Sequence, residues 1–267
     1  MEWKGPCSLS RVEARVVRIS VAPVKSLRLV HPDEVQLERN GVVGNRRFWL
    51  RDENGALYAG KRDGTMMQIR PEWDEETRRL ALTFPDGERV EGVVELGESV
   101  DAELYRRPLA SRRVIGPWQE AISALVGRPL ELLWADDGAV DRAPRGGSVS
   151  LVSRASLERL REEAGVEDAI DGRRFRMLFE IDGVGAHEED AWMGSEVRIG
   201  EAAIVVNGDI GRCVVTSRDP DSGVADVPTL ATLAGYRREG KMESLPFGVY
   251  GAVATPGRVR VGDAVRA

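Results

Sequence analysis

The stretch GRCVVTS, Gly211 to Ser217, sets a cysteine directly after an arginine in a chain that has only two cysteines. Thiolate is the form of cysteine that attacks a substrate or ligates a metal, and nearby cations favour it. Successive residues of a strand face opposite ways, so Arg212 need not touch the Cys213 sulfur. On local sequence alone, Cys213 is equally a small buried hydrophobe. Three further stretches gather cations. PVKSLR, Pro23 to Arg28, offers Lys25 and Ser26, a point charge beside a hydroxyl, which suits a phosphate or another anion. NRRFW, Asn45 to Trp49, carries paired arginines into a strand, where one side chain can face a pocket while the other faces solvent. RRFRM, Arg173 to Met177, repeats that arrangement. A guanidinium fork binds oxyanions bidentately. Each stretch taken alone also fits an ordinary solvated surface.

Other chemistries find little support. His31 and His187 with Cys7 and Cys213 are too few and too scattered for a zinc site. DPDSG, residues 219–223, lacks the remaining ligands of a calcium loop and reads as a turn. AHEEDAW, residues 186–192, reads as an exposed acidic turn anchored by Trp192. GVVGNR has neither the preceding strand nor the following helix of a dinucleotide fingerprint. Two histidines and no nucleophile elbow leave no Ser-His-Asp set. No general acid stands out, although Asp209 lies near the cysteine in sequence.

The 267 residues, 42% apolar and 31% charged, can bury a substantial core as one large or two small domains. A net charge of -6 argues against broad binding to nucleic acid or anionic membranes, while leaving room for a local basic pocket. No stretch approaches the length of a membrane helix, and the first twenty residues lack an apolar signal core. A cytoplasmic location is expected, where Cys7 and Cys213 would stay reduced.

Short strands with turn signals fill the first hundred residues. Arg15 to Ser26 is β-branched and ends beyond a proline. EVQLER stops at Asn40-Gly41. Phe48 to Arg51 and Leu57 to Ala59 flank Asn54-Gly55, and a second hairpin turns at Asp86-Gly87. Three helices follow. Trp118, Ala121, Ile122, Leu125 and Val126 share a face that stops at Gly127, and Leu157, Leu160 and Ala164 share one that stops at Gly165. The third, with Leu230 and Leu233 inward, is capped by Asp226 with Pro228 in its first turn. RFRMLFEI and EVRIGEAAIVVNGDIGRCVVTS read as strands, with Cys213 where a new strand begins. The chain closes through turns at Pro256-Gly257 and Gly262-Asp263. A loose segment, 135–148, separates the halves. The pattern predicts a mainly β fold with a few helices: an N-terminal β-rich region, 1–110, and a second β-barrel domain, 111–267.

The blocks VAPVKSL, NRRFWL, RFRMLFEIDG, GRCVVTSRDPDSG, PTLATLAGYR and FGVYGAVATPGRVRVGDAV, in that order, resemble MOSC-domain proteins with an N-terminal MOSC β-barrel region. Among these they are most similar to the amidoxime-reducing components. The resemblance spans about Val16 to Val265, and RCVVTSRDPDSG is its most specific part. It implies a molybdenum cofactor held by a pterin dithiolene, with Cys213 as a protein sulfur ligand and catalytic residue. Soft thiolate suits such a centre. It implies pterin-phosphate contacts from Lys25, Ser26, Arg47 and Arg176, backbone groups from Gly211 and Arg212, and a looser contact near Gly147 and Ser148. Pyridoxal phosphate binding is a further property attached to the family. The implied activity is two-electron reduction of N-hydroxylated or N-oxide compounds. Its partner would be a separate electron-donor protein of the ferredoxin or cytochrome/flavin reductase type, since neither an appended ferredoxin-like domain nor a membrane anchor is expected. Cofactor carriage or sulfur handling without turnover is the alternative, and a metal-free binding barrel a second. One departure stands out: relatives have an arginine-proline-asparagine run where this chain has Arg176, Met177 and Leu178, which changes the pocket wall.

Overall fold

Asn54-Gly55 and Asp86-Gly87 fold the chain back as their turn chemistry requires. Gly55 lies at φ +76° and Gly87 at φ +90°, and strands Phe48–Asp52 and Arg79–Thr83 pair antiparallel with Leu57–Tyr58 and Arg89–Val93. The computed structural model describes residues 14–104, 107–136, 138 and 147–267. Cys7 and most of the 135–148 segment lie outside them.

Five sheets are present among the described residues, and the two largest organise the fold. The first has seven strands in the order Arg15–Ile19, Phe179–Asp182, Val149–Ser153, Pro246–Thr255, Ala202–Gly211, Glu196–Ile199 and Val265–Arg266. The sheet nearly closes on itself. Arg15 bridges Ala264, the Val16 N–H donates to Asp263 O at 2.9 Å, and the Gly262 N–H donates to Val16 O at 2.8 Å. One pair, Val149–Ser153 with Phe179–Asp182, is parallel because helix Arg154–Ala164 makes the crossover between them. Val16, Ile19, Leu151, Phe179, Ile204 and Val249 fill the barrel and are fully buried. The second system is a five-stranded sheet containing Phe48–Asp52, Leu130–Ala135 and Ser111–Ile115. Its core of Phe48, Leu50, Leu132, Trp118 and Ile122 also takes in Leu80 and Leu82 from the Asp86-Gly87 hairpin. Among the described residues the molecule is thus mainly β with three α-helices, as expected. Among the described residues no helix is long and apolar enough to cross a membrane.

Sheet pairing does not divide the chain at residue 110. Strands Ser111–Ile115 and Leu130–Ala135 belong to the first-half sheet. Conversely, Arg15–Ile19 is a stave of the barrel, and Glu34–Glu38 pairs with Gly257–Arg260. Long-range pairing decides this, and turn signals carry no record of it. Helices Trp118–Val126 and Arg154–Ala164 end at left-handed Gly127 and Gly165 as expected. Helix Thr229–Tyr236 is not capped by Asp226. That carboxylate is held by Arg174 instead, at 2.5 and 2.6 Å.

RFRM is not a strand. Gly172–Phe175 is a 3₁₀ turn, Arg176 is left-handed at φ +54°, and the strand begins at Phe179. Nor does a strand begin at Cys213. The strand ends at Gly211, and Cys213 heads a 3₁₀ turn, Val214–Ser217. The acidic turn at 186–192 is not wholly exposed. Trp192 anchors it, but Glu189 is completely buried, accepting from the Ser156 hydroxyl at 2.8 Å and the Ser153 N–H at 3.2 Å. Burial pushes its carboxyl above the usual range.

A seam of ion pairs joins the two systems. Arg173 grips Asp221 at 3.0 and 2.7 Å, and Arg28 from the first half reaches the same carboxylate at 3.0 Å. The hydrogen bonds from Arg173 hold Asp221 below the ordinary carboxylate range. A depressed carboxyl lends stability above its unfolded pKa and withdraws it as pH falls through the folded value. Stability is therefore expected to fall below about pH 4. Asp221→Asn should be weaker at pH 7 and show a shallower acid limb in urea denaturation read at several pH values.

Candidate active-site cleft

Cys213 is exposed, and it opens into a cleft of about 670 Å³ whose walls come from both sheet systems. Its thiol takes no part in the turn it heads. The Cys213 carbonyl does that work, accepting from the Thr216 N–H at 3.1 Å and the Thr216 hydroxyl at 3.0 Å. Among the described residues the cleft wall carries seven cationic side chains and a single carboxylate. In a protein of net charge -6 this is a concentrated local reversal of sign.

Four of the wall residues are interlocked. The turn after Pro23 is strapped to the Phe48 strand, with the Lys25 N–H donating to Phe48 O at 2.8 Å and the Phe48 N–H to Pro23 O at 3.1 Å. The Asn45 side chain accepts from the Ala22 N–H at 3.0 Å, which fixes the neighbouring turn. Arg46 then donates to Arg176 O at 2.9 Å, and Arg176 donates to Leu27 O at 2.7 Å. Lys25, Ser26, Arg46 and Arg176 thus share one patch of wall. Three of them, Ser26 at φ +74°, Arg46 at +52° and Arg176 at +54°, hold left-handed backbone that residues with a Cβ rarely adopt. Such strain persists where the surroundings over-determine it, and it concentrates at functional sites.

Arg47 is not in this wall. Its guanidinium donates to Ala135 O at 3.2 Å and lies over the Trp134 ring at 4.6 Å. The left-handed turn at Arg46 exchanges the expected facing of the two arginines, so Arg46 takes the cleft position. Arg174, from the RRFRM stretch, and Arg212 also line the wall, and Lys61 and Arg107 complete the cations without having been indicated by the sequence. Gly147 and Ser148 do reach the wall. Gly41 makes room for Ser148, since a Cβ there would sit 3.0 Å from the Ser148 Cβ. Met177 and Leu178 also line it, giving an apolar stretch beside Arg176.

Gly211 and Arg212 line the cleft, but their amides are already donated, to Glu243 at 2.9 Å and to Leu245 O at 3.2 Å. The Arg212 guanidinium turns to Phe247 O at 2.8 Å and Phe175 O at 3.2 Å, holding the cysteine turn against the Arg176 turn. Asp209 is no proton donor to the cleft. It is 1% exposed and accepts the backbone N–H groups of Lys241, Met242 and Glu243 at 2.6, 3.2 and 2.9 Å.

The two arginines give a direct comparison. Arg46→Gly relieves left-handed strain and is expected to leave the thermal midpoint unchanged or slightly higher. The same change should weaken inorganic pyrophosphate binding about tenfold, as expected for one lost charge-assisted contact. Arg47→Gly should barely alter that affinity. Isothermal titration of both variants checks this.

Comparison with known proteins places two family descriptions on the chain: a MOSC N-terminal beta barrel domain over residues 13–111 and a MOSC domain over residues 143–266. Mitochondrial amidoxime-reducing component 1 of Mus musculus is 37% identical over 122 residues, covering 43% of this chain and 35% of the mouse protein. Its counterpart in Xenopus laevis is 24% identical, covering 94% of this chain and 81% of that protein. Molybdenum cofactor sulfurase 1 of Aedes aegypti is 26% identical, covering 90% of this chain and 34% of the mosquito protein. The matched stretch is thus about a third of the mouse and mosquito proteins.

Proposed function

Because this chain belongs to the MOSC-domain proteins that carry an N-terminal MOSC β-barrel domain, we propose that it binds a molybdenum-pterin cofactor and reduces N-oxygenated compounds. The observation that carries the reading is the exposed Cys213 thiol in a cleft walled by cations. The donor set fits the group: a soft sulfur for a soft metal-sulfur centre, and convergent cations for its phosphate. When bound, the cofactor supplies two-electron redox chemistry.

The protein's own residues then have separate tasks. Cys213 lends its sulfur as ligand. Lys25 and Ser26 give the phosphate a point charge and a hydroxyl, while Arg46 and Arg176 give it guanidinium forks. Arg212 braces the cysteine turn through the Phe175 and Phe247 carbonyls. Gly147 and Ser148 border the space that remains. In the overall reaction the N–O bond of a hydroxylated nitrogen or N-oxide is cleaved. Two electrons from a separate donor protein and two protons carry the oxygen away as water.

Cofactor carriage or sulfur handling is a second reading, supported by the similarity to a molybdenum cofactor sulfurase over 90% of this chain. Metal analysis of protein from a cofactor-competent host, with benzamidoxime reduction by reduced viologen, separates the two. About one molybdenum per chain, following ligation by one thiolate per centre, is expected with turnover. Molybdenum without turnover favours carriage, and absence of molybdenum defeats both.

A further inference from the structure

Cleaving an N–O bond to release water consumes two protons, and buried Asp209 supplies neither to the cleft. Ser20, 7% exposed, lines the same cleft as Cys213, and its hydroxyl lies 3.1 Å from Nδ1 of His31, a solvent-exposed residue. We propose that His31 and Ser20 form a proton relay from solvent into the cleft. The proposal deepens the reductase reading and rests on it for the identity of the proton acceptor.

An antiparallel bridge sets the pair side by side. The Val21 N–H donates to Val30 O at 2.9 Å and the Val30 N–H to Val21 O at 2.8 Å, so Ser20 and His31 flank the bridge at one end. The Ser20 N–H donates to Leu178 O at 2.8 Å, which ties the serine to the cleft wall. Ile19 decides where the hydrogens lie, because its carbonyl is 3.2 Å from the same Nδ1. A carbonyl only accepts, so Nδ1 carries a hydrogen. Ser20 Oγ shares that hydrogen as a second acceptor, and its own hydrogen is left for the cleft. Burial is the main cause holding His31 below its ordinary pKa. Arg18 and Arg173 add to it, while the Ile19 carbonyl and Asp171 oppose it. At pH 7 the ring is therefore mainly neutral, with Nε2 as its proton acceptor.

A solvent proton adds at Nε2, the Nδ1 proton passes to Ser20 Oγ, and the serine proton passes to the oxygen of the breaking N–O bond, directly or through one water. Solvent loses one proton and the substrate gains one. No electron moves in the relay, and both electrons come from the donor protein. The ring is left as its Nε2–H tautomer and returns by exchange with water, since a bare Nδ1 facing a carbonyl is unfavourable.

The chain has two histidines, so nitrogen-15 labelling of histidine gives two ring signals, and His31→Asn identifies one of them. In the purified protein at neutral pH, His31 should be the Nδ1–H tautomer, and Ser20→Ala should shift its Nδ1 resonance. An Nε2–H tautomer, or a spectrum that Ser20→Ala leaves unchanged, overturns the proposal. Turnover gives the second readout. His31→Asn keeps an N–H near the Nδ1 position but relays no proton. It should melt as wild type does and reduce benzamidoxime with kcat about a hundredfold lower and KM unchanged. Added imidazole should restore much of that loss, whereas Ser20→Ala should lose as much and gain nothing from imidazole. Wild-type kcat in His31→Asn, or a loss that imidazole does not repair, sinks the relay alone. The expected resonances in a wild-type protein without turnover sink the reductase reading alone.

Discussion

Cys213→Ala is expected to purify as a folded protein with less than about a tenth of the wild-type molybdenum, since one thiolate serves each centre, and with no reduction of benzamidoxime. The two halves of that expectation have separate causes. The thiol is exposed, and only the Cys213 carbonyl joins the turn. Its backbone, at φ -127°, suits alanine as well as cysteine. Surface changes of this kind fall within about 0.5 kcal/mol, so the thermal midpoint should barely move. Loss of the metal would then report a lost ligand and not a damaged fold. Metal analysis, circular dichroism and a melting curve on one sample check all three. A variant that keeps the wild-type molybdenum content removes the cysteine from the site.

Gly223→Val should have the largest effect on the fold. A Cβ on Gly223 would lie 2.0 Å from the Gly64 carbonyl oxygen, and one on Gly64 would lie 2.0 Å from that of Gly223. Backbone faces backbone, so no side chain can swing aside. Gly223 also sits at φ +74°, unfavourable for valine. The contact lies in the seam that walls the cleft, beside Gln68 donating to Ser222 O at 2.9 Å and Arg28 donating to Asp221 O at 2.7 Å. Parting the two turns combines overpacking with backbone strain and should cost at least about 3 kcal/mol. For a chain of this size that is roughly 10 °C in melting temperature. Gly194→Ala is the comparison, with φ +85° and nothing near its Cβ, and should cost about 1 kcal/mol. A wild-type melting curve for Gly223→Val would show that the seam yields without cost.

Local signals were legible because their physics is local. Turn glycines, two helix stops and the chemistry of a cysteine beside an arginine are all written within a few residues. The exchange of Arg46 for Arg47 was hidden, since strand alternation assumes extended backbone and Arg46 is left-handed. Asp209 and Glu189 read as ordinary acids, yet both are buried on partners that lie more than thirty residues away in sequence. Glu243 carried no signal at all, because its character comes from being, among the described residues, the one carboxylate in a wall of cations gathered from distant turns. Membership of a strand in a sheet was equally out of reach at Arg15–Ile19.

That first stave has a consequence for biogenesis. Arg15 pairs with Asp182, and the barrel edge it completes does not exist until that partner has been made. At ribosomal speeds of about 5–20 residues per second, the interval is roughly 8–30 s. Throughout it a β-branched segment waits with its hydrogen-bonding edge open, a template for wrong partners. Slowing translation between the two segments should therefore lower soluble yield, even though the finished molecule is identical.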